Sequence, residues 1–158
     1  MRMRQAVWGW ALVGVFALGT GCAGESTMSG SSSGTSKAMG ASLYERLGKQ
    51  EAIVAVVDDF VGRVANDTRI NGKFANANIP RLKVLLVEQI CAASGGPCTY
   101  TGRDMKTTHV GMNITSEQFD ALVGDLVATL NKFKVPEREK NELLSVLGPM
   151  KKDIVTAM

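Results

Sequence analysis

Across residues 42–158 apolar side chains recur at spacings of three and four, the period of a helix buried on one side. Ile53, Val56, Val57, Phe60, Val61 and Val64 form one stripe, which begins near Gln50 and ends at Asn66-Asp67. Ile79, Leu82, Leu85, Leu86, Ile90 and Ala93 form a second. Pro80 suits its first turn, and Gly95-Gly96-Pro97 stops it. Phe119, Leu122, Val123, Leu126, Val127, Leu130 and Phe133 make a third, wider face, capped by Ser116 or by Thr115 before it. A fourth helix starts at Pro136, with Glu137 and Glu139 where the macrodipole favours acids. Its stripe is Leu143, Leu144, Leu147, Met150, Ile154 and Val155, and Pro149 predicts a kink within it. Ser42 and Glu45 have the spacing of a capping box, opening a short helix that ends at Gly48. No alternating run suggests a strand. The pattern predicts one all-α domain of about four main helices around a modest core.

Two connections break this pattern. Residues 68–78 are polar apart from the anchors Ile70 and Phe74, and read as a loop with one helical turn. Residues 100–108 read as an extended stretch with a short helix at its end. Loops this long in a small domain are often functional. The second leads into His109, the single histidine of the 158-residue chain. One imidazole cannot build a zinc site, which takes three or four protein ligands. It can act as a general base, hold one axial position of a haem iron, or have no chemical role. Apolar stripes beside such loops suit a core that holds a large flat ligand, and equally a plain packed bundle.

Residues 1–22 have the form of an export signal. Arg2 and Arg4 precede an apolar run from Ala6 to Leu18, followed by Gly19-Thr20-Gly21 and Cys22. The run is short for a membrane span. A small residue before a cysteine resembles a bacterial lipobox, with Leu18 one position further out than usual. The expectation is a lipidated Cys22, with cleavage in the Gly21-Cys22-Ala23 triplet as the alternative. Residues 23–41 are rich in Ser, Gly and Thr and read as a flexible tether. This gives three segments: signal 1–22, linker 23–41 and folded domain 42–158. The product is expected outside the cytoplasm, as a membrane-tethered lipoprotein or a periplasmic protein. Removing Arg2 and Arg4 lowers the formal charge of +3 to +1, so no basic patch points to nucleic acid. With Cys22 lipidated, two of the three cysteines remain, Cys91 and Cys98. In an oxidising compartment, across a segment that must turn, they are expected to form a disulfide, the alternative being two separate thiols.

In order along the chain, Ser42-Leu43-Tyr44-Glu45-Arg46-Leu47-Gly48, Val56-Val57-Asp58-Asp59-Phe60, Phe74, Arg81-Leu82-Lys83, Gly95-Gly96-Pro97, Tyr100-Thr101-Gly102-Arg103-Asp104-Met105-Lys106, His109-Val110-Gly111-Met112 and Ile114-Thr115 together resemble a truncated haemoglobin of the first group. The resemblance spans nearly the whole folded domain. It implies a two-over-two helical sandwich around haem b, with His109 as the proximal iron ligand. It implies Phe74, Phe60 and Met105 against the porphyrin, and Arg81 and Lys83 as candidate partners of the haem propionates. The family's Gly-Gly after the opening helix is Gly48-Lys49 here.

The distal side departs from the family. Val61 stands where oxygen-stabilising members place a tyrosine. Leu82 and Leu86 stand where they place glutamines, and Leu85 where some carry a second histidine. Gln89 and Glu88 are expected to point outward. A distal donor would favour an O2 ligand by about 1.5–3 kcal/mol. Its absence predicts weaker O2 retention with little effect on CO or NO. Bis-histidine ligation is excluded by the histidine count. The expected function is binding of diatomic ligands (O2, NO or CO) at a five-coordinate haem iron. The alternative is a haem enzyme with NO dioxygenase-like or electron-transfer activity, drawing on an unidentified electron donor.

Overall fold

The computed structural model describes residues 40–157, all helical or irregular, with no strand among them. The expected signal, Cys22 and the linker as far as residue 39 lie outside the described residues. The elements are α1 (Leu43–Arg46), α2 (Lys49–Asn66), a 3-10 turn (Asn71–Phe74), α3 (Ile79–Ala93), α4 (Met105–His109), α5 (Ser116–Lys132), α6 (Glu137–Leu147), a second 3-10 turn (Gly148–Met150) and α7 (Lys151–Ile154).

Local chemistry sets these boundaries. Ser42 and Glu45 form the expected capping box, and Thr115 forms another with Gln118. Each such cap is worth about 1 kcal/mol. Pro80 lies in the first turn of α3, where Asn78 caps the Arg81 amide at 3.0 Å. Pro149 does more than kink the last helix: its segment becomes a 3-10 turn that separates α6 from α7. Pro136 is the residue before α6, not its first turn. At the α1–α2 junction Gly48 and Lys49 both lie in the left-handed region, at φ +93° and +63°. Lysine therefore occupies a backbone conformation that favours glycine.

Helix α2 pairs with α3 and also packs on α5, α1 packs on α2 and α6, and α6 joins the same core through Leu143 and Leu144. Ile53 and Val56 of α2 meet Ile90 of α3, Leu130 of α5 and Leu143 of α6. All six residues of the α2 stripe are buried. Helix α5 differs from its pattern. Phe133 caps the helix C-terminus and is 40 % exposed, because the chain turns away at Lys134, φ +55°. Val123 and Val127 are half-buried, while Asp125 and Thr129 are buried.

Cys91 and Cys98 form a disulfide with Cα atoms 5.7 Å apart. In the chain-entropy account a bridge over so short a loop contributes on the order of 2–3 kcal/mol. The turn beneath it is packed so closely that a Cβ on Gly96 would lie 2.6 Å from the Tyr44 ring and 2.7 Å from the Cys91 sulfur.

Candidate functional site

Helix α4 exists to present His109. Asp104 caps it, accepting from the Thr107 amide at 2.8 Å, and the Thr107 hydroxyl and amide hold the Asp104 carboxyl below the usual range. Upstream, the Tyr100 hydroxyl donates to the Arg103 carbonyl at 3.0 Å. Its ring folds over Gly102, where a Cβ would lie 2.2 Å from the Tyr100 oxygen. A side chain at position 102 would therefore displace the Tyr100 ring from this turn. Glu88 of α3 accepts from the Thr101 amide at 2.9 Å and its hydroxyl at 2.8 Å, and both bonds lower the Glu88 pKa. Together with the disulfide, these contacts tie the segment entering α4 to the end of α3.

One contact decides the chemistry of His109. Its Nδ1 lies 2.7 Å from the Met105 carbonyl oxygen. A carbonyl can only accept, so Nδ1 carries a proton, and in the neutral ring the lone pair is then on Nε2. This is the tautomer and orientation that metal-ligating histidines adopt, with the far nitrogen held by a backbone carbonyl. Among the described residues no group of three or more His, Cys, Asp or Glu could hold a bare ion. A metal bound here must therefore bring its other ligands with it, as the iron of a porphyrin does.

The surroundings suit a flat apolar group. Leu82, Leu85 and Leu86 of α3 are only half-buried, as are Phe74, Met105 and Met150. Phe74 packs against the core from the first 3-10 turn. Phe60 and Val61 lie deeper, each 7 % exposed. Gln89 is not directed outward as expected. It is half-buried, and its amide reaches the sulfur of Met150 at 3.1 Å and of Met105 at 3.7 Å. The physical reason is helical: residue 89 follows Leu82, Leu85 and Leu86 by spacings of seven, four and three, so it shares their face. The spacing from Leu82, Leu85 and Leu86 already carried that signal. Glu88 points outward, to Thr101. Arg81 donates to the Thr101 hydroxyl at 3.0 Å, and Lys83 pairs with Asp58 of α2 at 2.9 Å.

A lone imidazole held by a backbone carbonyl, packed helices and a half-buried apolar helix face have counterparts in known proteins. The bacterial-like globin family matches residues 42–156. A group 1 truncated hemoglobin of Mycolicibacterium paratuberculosis is 40 % identical over 120 residues, covering 76 % of this chain and 88 % of that protein. The chain belongs to the group 1 truncated haemoglobins. The crystal structure of the truncated hemoglobin of Tetrahymena pyriformis in its Fe(III) form superposes with a TM-score of 0.70 at 31 % identity, covering 73 % of this chain and 98 % of that one. The 2/2 hemoglobin of Synechococcus, solved in the cyanomet state with covalently attached heme, gives 0.69 at 30 % identity over the same shares. This truncated haemoglobin is accordingly a haem-binding globin for diatomic ligands, built as a two-over-two sandwich.

Proposed function

We propose that this truncated haemoglobin holds haem b through the Nε2 of His109 and presents diatomic ligands with an apolar distal wall of Val61, Leu82 and Leu86. The bond from His109 Nδ1 to the Met105 carbonyl carries the reading, since it fixes the ring in its ligating tautomer. When bound, the haem supplies an iron whose sixth position takes O2, CO or NO. Phe74, Phe60 and Met105 exclude water from its faces. Arg81, committed by one bond to Thr101, keeps donors for a haem carboxylate, whereas Lys83 is already paired with Asp58. None of Val61, Leu82, Leu85 and Leu86 carries a hydrogen-bond donor, and the Gln89 amide on the same face is engaged by the sulfurs of Met150 and Met105, which favours CO and NO over prolonged O2 retention. NO dioxygenase-like conversion of NO to nitrate needs retained O2 and an electron donor, so the same wall supports it least.

We also propose export, with Cys22 as the lipid attachment point and the protein tethered outside the cytoplasm. The Cys91–Cys98 disulfide supports an oxidising compartment. Labelling with a fatty acid should mark the wild type and not C22S. Label in both, or in neither, would end the lipoprotein reading.

The central experiment is visible spectroscopy of the haem-loaded full chain, ferric, ferrous and with CO. A Soret band is expected in the wild type. His109→Ala should abolish the proximal bond and change both the ferrous and the CO spectra. Unchanged spectra would place the ligand elsewhere.

A further inference from the structure

The site has a second polar bridge besides the His109–Met105 bond, and sequence reasoning assigned it nothing. Lys73 stands in the first 3-10 turn, immediately before Phe74. Its Nζ donates to the Met112 carbonyl at 2.8 Å and the Asn113 carbonyl at 3.2 Å. Those carbonyls belong to the loop that leaves His109. The loop is bent to offer them: Gly111 and Asn113 both lie in the left-handed region, at φ +79° and +49°. A non-glycine residue keeps such a conformation only where its surroundings hold it. On its far side the loop is held as well. The Ile114 amide donates to the Thr156 hydroxyl at 3.2 Å, and the Ile114 carbonyl accepts from the Thr156 and Ala157 amides at 3.0 Å each. Among the described residues Lys73 pairs with no carboxylate. Its half-buried ammonium is therefore spent on this loop.

We infer that Lys73 is a latch of the haem cleft, a positioning residue that ties the turn bearing Phe74 to the loop following His109. The inference rests on the haem reading above. Release of a flat group held between Phe74 and His109 requires those two segments to separate. Two charge-assisted bonds across the gap oppose that separation. A lysine pairing with a surface carboxylate would add little; one that spans two walls of a binding cleft acts on the bound group.

The test compares haem loss from full-length wild type, Lys73→Met and Lys73→Arg, following the Soret band during transfer to an excess of scavenging apoglobin. K73M, which keeps the stem and loses the donors, should lose haem roughly tenfold faster, equivalent to about 1.4 kcal/mol. K73R should recover most of the difference. The melting temperature of each apoprotein is measured in parallel and should stay within about 2 °C of wild type, well below the shift of about 4–8 °C that 1 kcal/mol produces in a small domain. Equal haem loss in wild type and K73M would overturn the latch alone. So would apoprotein destabilisation that matches the faster loss, because the lysine would then serve the fold in general. A wild type that takes up no haem would overturn the latch together with the reading beneath it.

Discussion

Helices α2 and α3 carry the same apolar period and meet different fates. In α2 all six stripe residues are buried, Val57 to 1 % exposure. In α3 only Ile90 of the expected stripe is buried, joined by Cys91, while Leu82, Leu85 and Leu86 stay half-buried. The first helix has protein on every side of its stripe. The second packs on the core through Ile79, Leu86 and Ile90 and leaves the rest of its stripe only partly covered. A stripe that keeps its period and lacks full burial leaves apolar surface open to a partner, and in a truncated haemoglobin such a surface suits the haem.

The largest test of this contrast truncates one residue in each helix. Ile53→Ala should cost about 2–5 kcal/mol in urea unfolding, with or without haem. Leu86→Ala should cost less than that in the apoprotein, because the side chain is only partly buried against the core, and should weaken haem retention as well. Equal costs in the apoprotein would erase the distinction. The second test changes chemistry at the same place. Leu86→Gln adds a donor of nearly the same size and should slow O2 release about tenfold, with CO release almost unchanged. Stopped-flow ligand replacement reads both rates.

A third contrast lies within α5, where a carboxylate is buried beside Asp67, Arg69 and Arg63. Asp125 is 9 % exposed, and its Oδ2 has no hydrogen-bond partner. Burial first, then the Asp67 carboxylate, pushes its pKa above the ordinary 3.8, against the pull of Arg69 and Arg63. The folded protein thus holds this proton more tightly than the unfolded chain. The cost is absent below about the ordinary value and develops as pH rises through the folded one. Asp59 runs the other way: the Lys132 bond lowers its pKa, so its contribution is present above the ordinary value and lost as pH falls through the lowered one. Asp125→Asn should stabilise by about 1 kcal/mol at neutral pH and by little near pH 3. An equal gain at both would exclude titration as the cause. The smallest effect belongs to Lys49→Gly, which should raise stability by about 1 kcal/mol or less by relieving the left-handed backbone.

The helices, both capping boxes' cap residues, the Gly-Gly-Pro stop, the short helix before His109 and the cysteine pair were all legible, because each depends on residues near one another in the chain. His109 became interpretable as a haem ligand only through the surrounding motif. What escaped was set by distant partners. Lys73 bonds to carbonyls 39 and 40 residues away, and a backbone carbonyl leaves no trace in sequence. Asp125 contradicts the rule that burial follows hydrophobicity. Phe133 obeys that rule in pattern and breaks it in place, because its helix ends beneath it. Gln89 was expected to point outward because it is polar, although its spacing from Leu82, Leu85 and Leu86 puts it on their face.

The Cys91–Cys98 bridge joins the end of one cleft wall to the segment that enters the other. Even a fully unfolded chain keeps those two points adjacent, so α3 and the segment bearing His109 never have to find each other by diffusion. For a globin that must capture a cofactor it does not make, the covalent link shortens the search: the jaws of the cleft arrive already hinged.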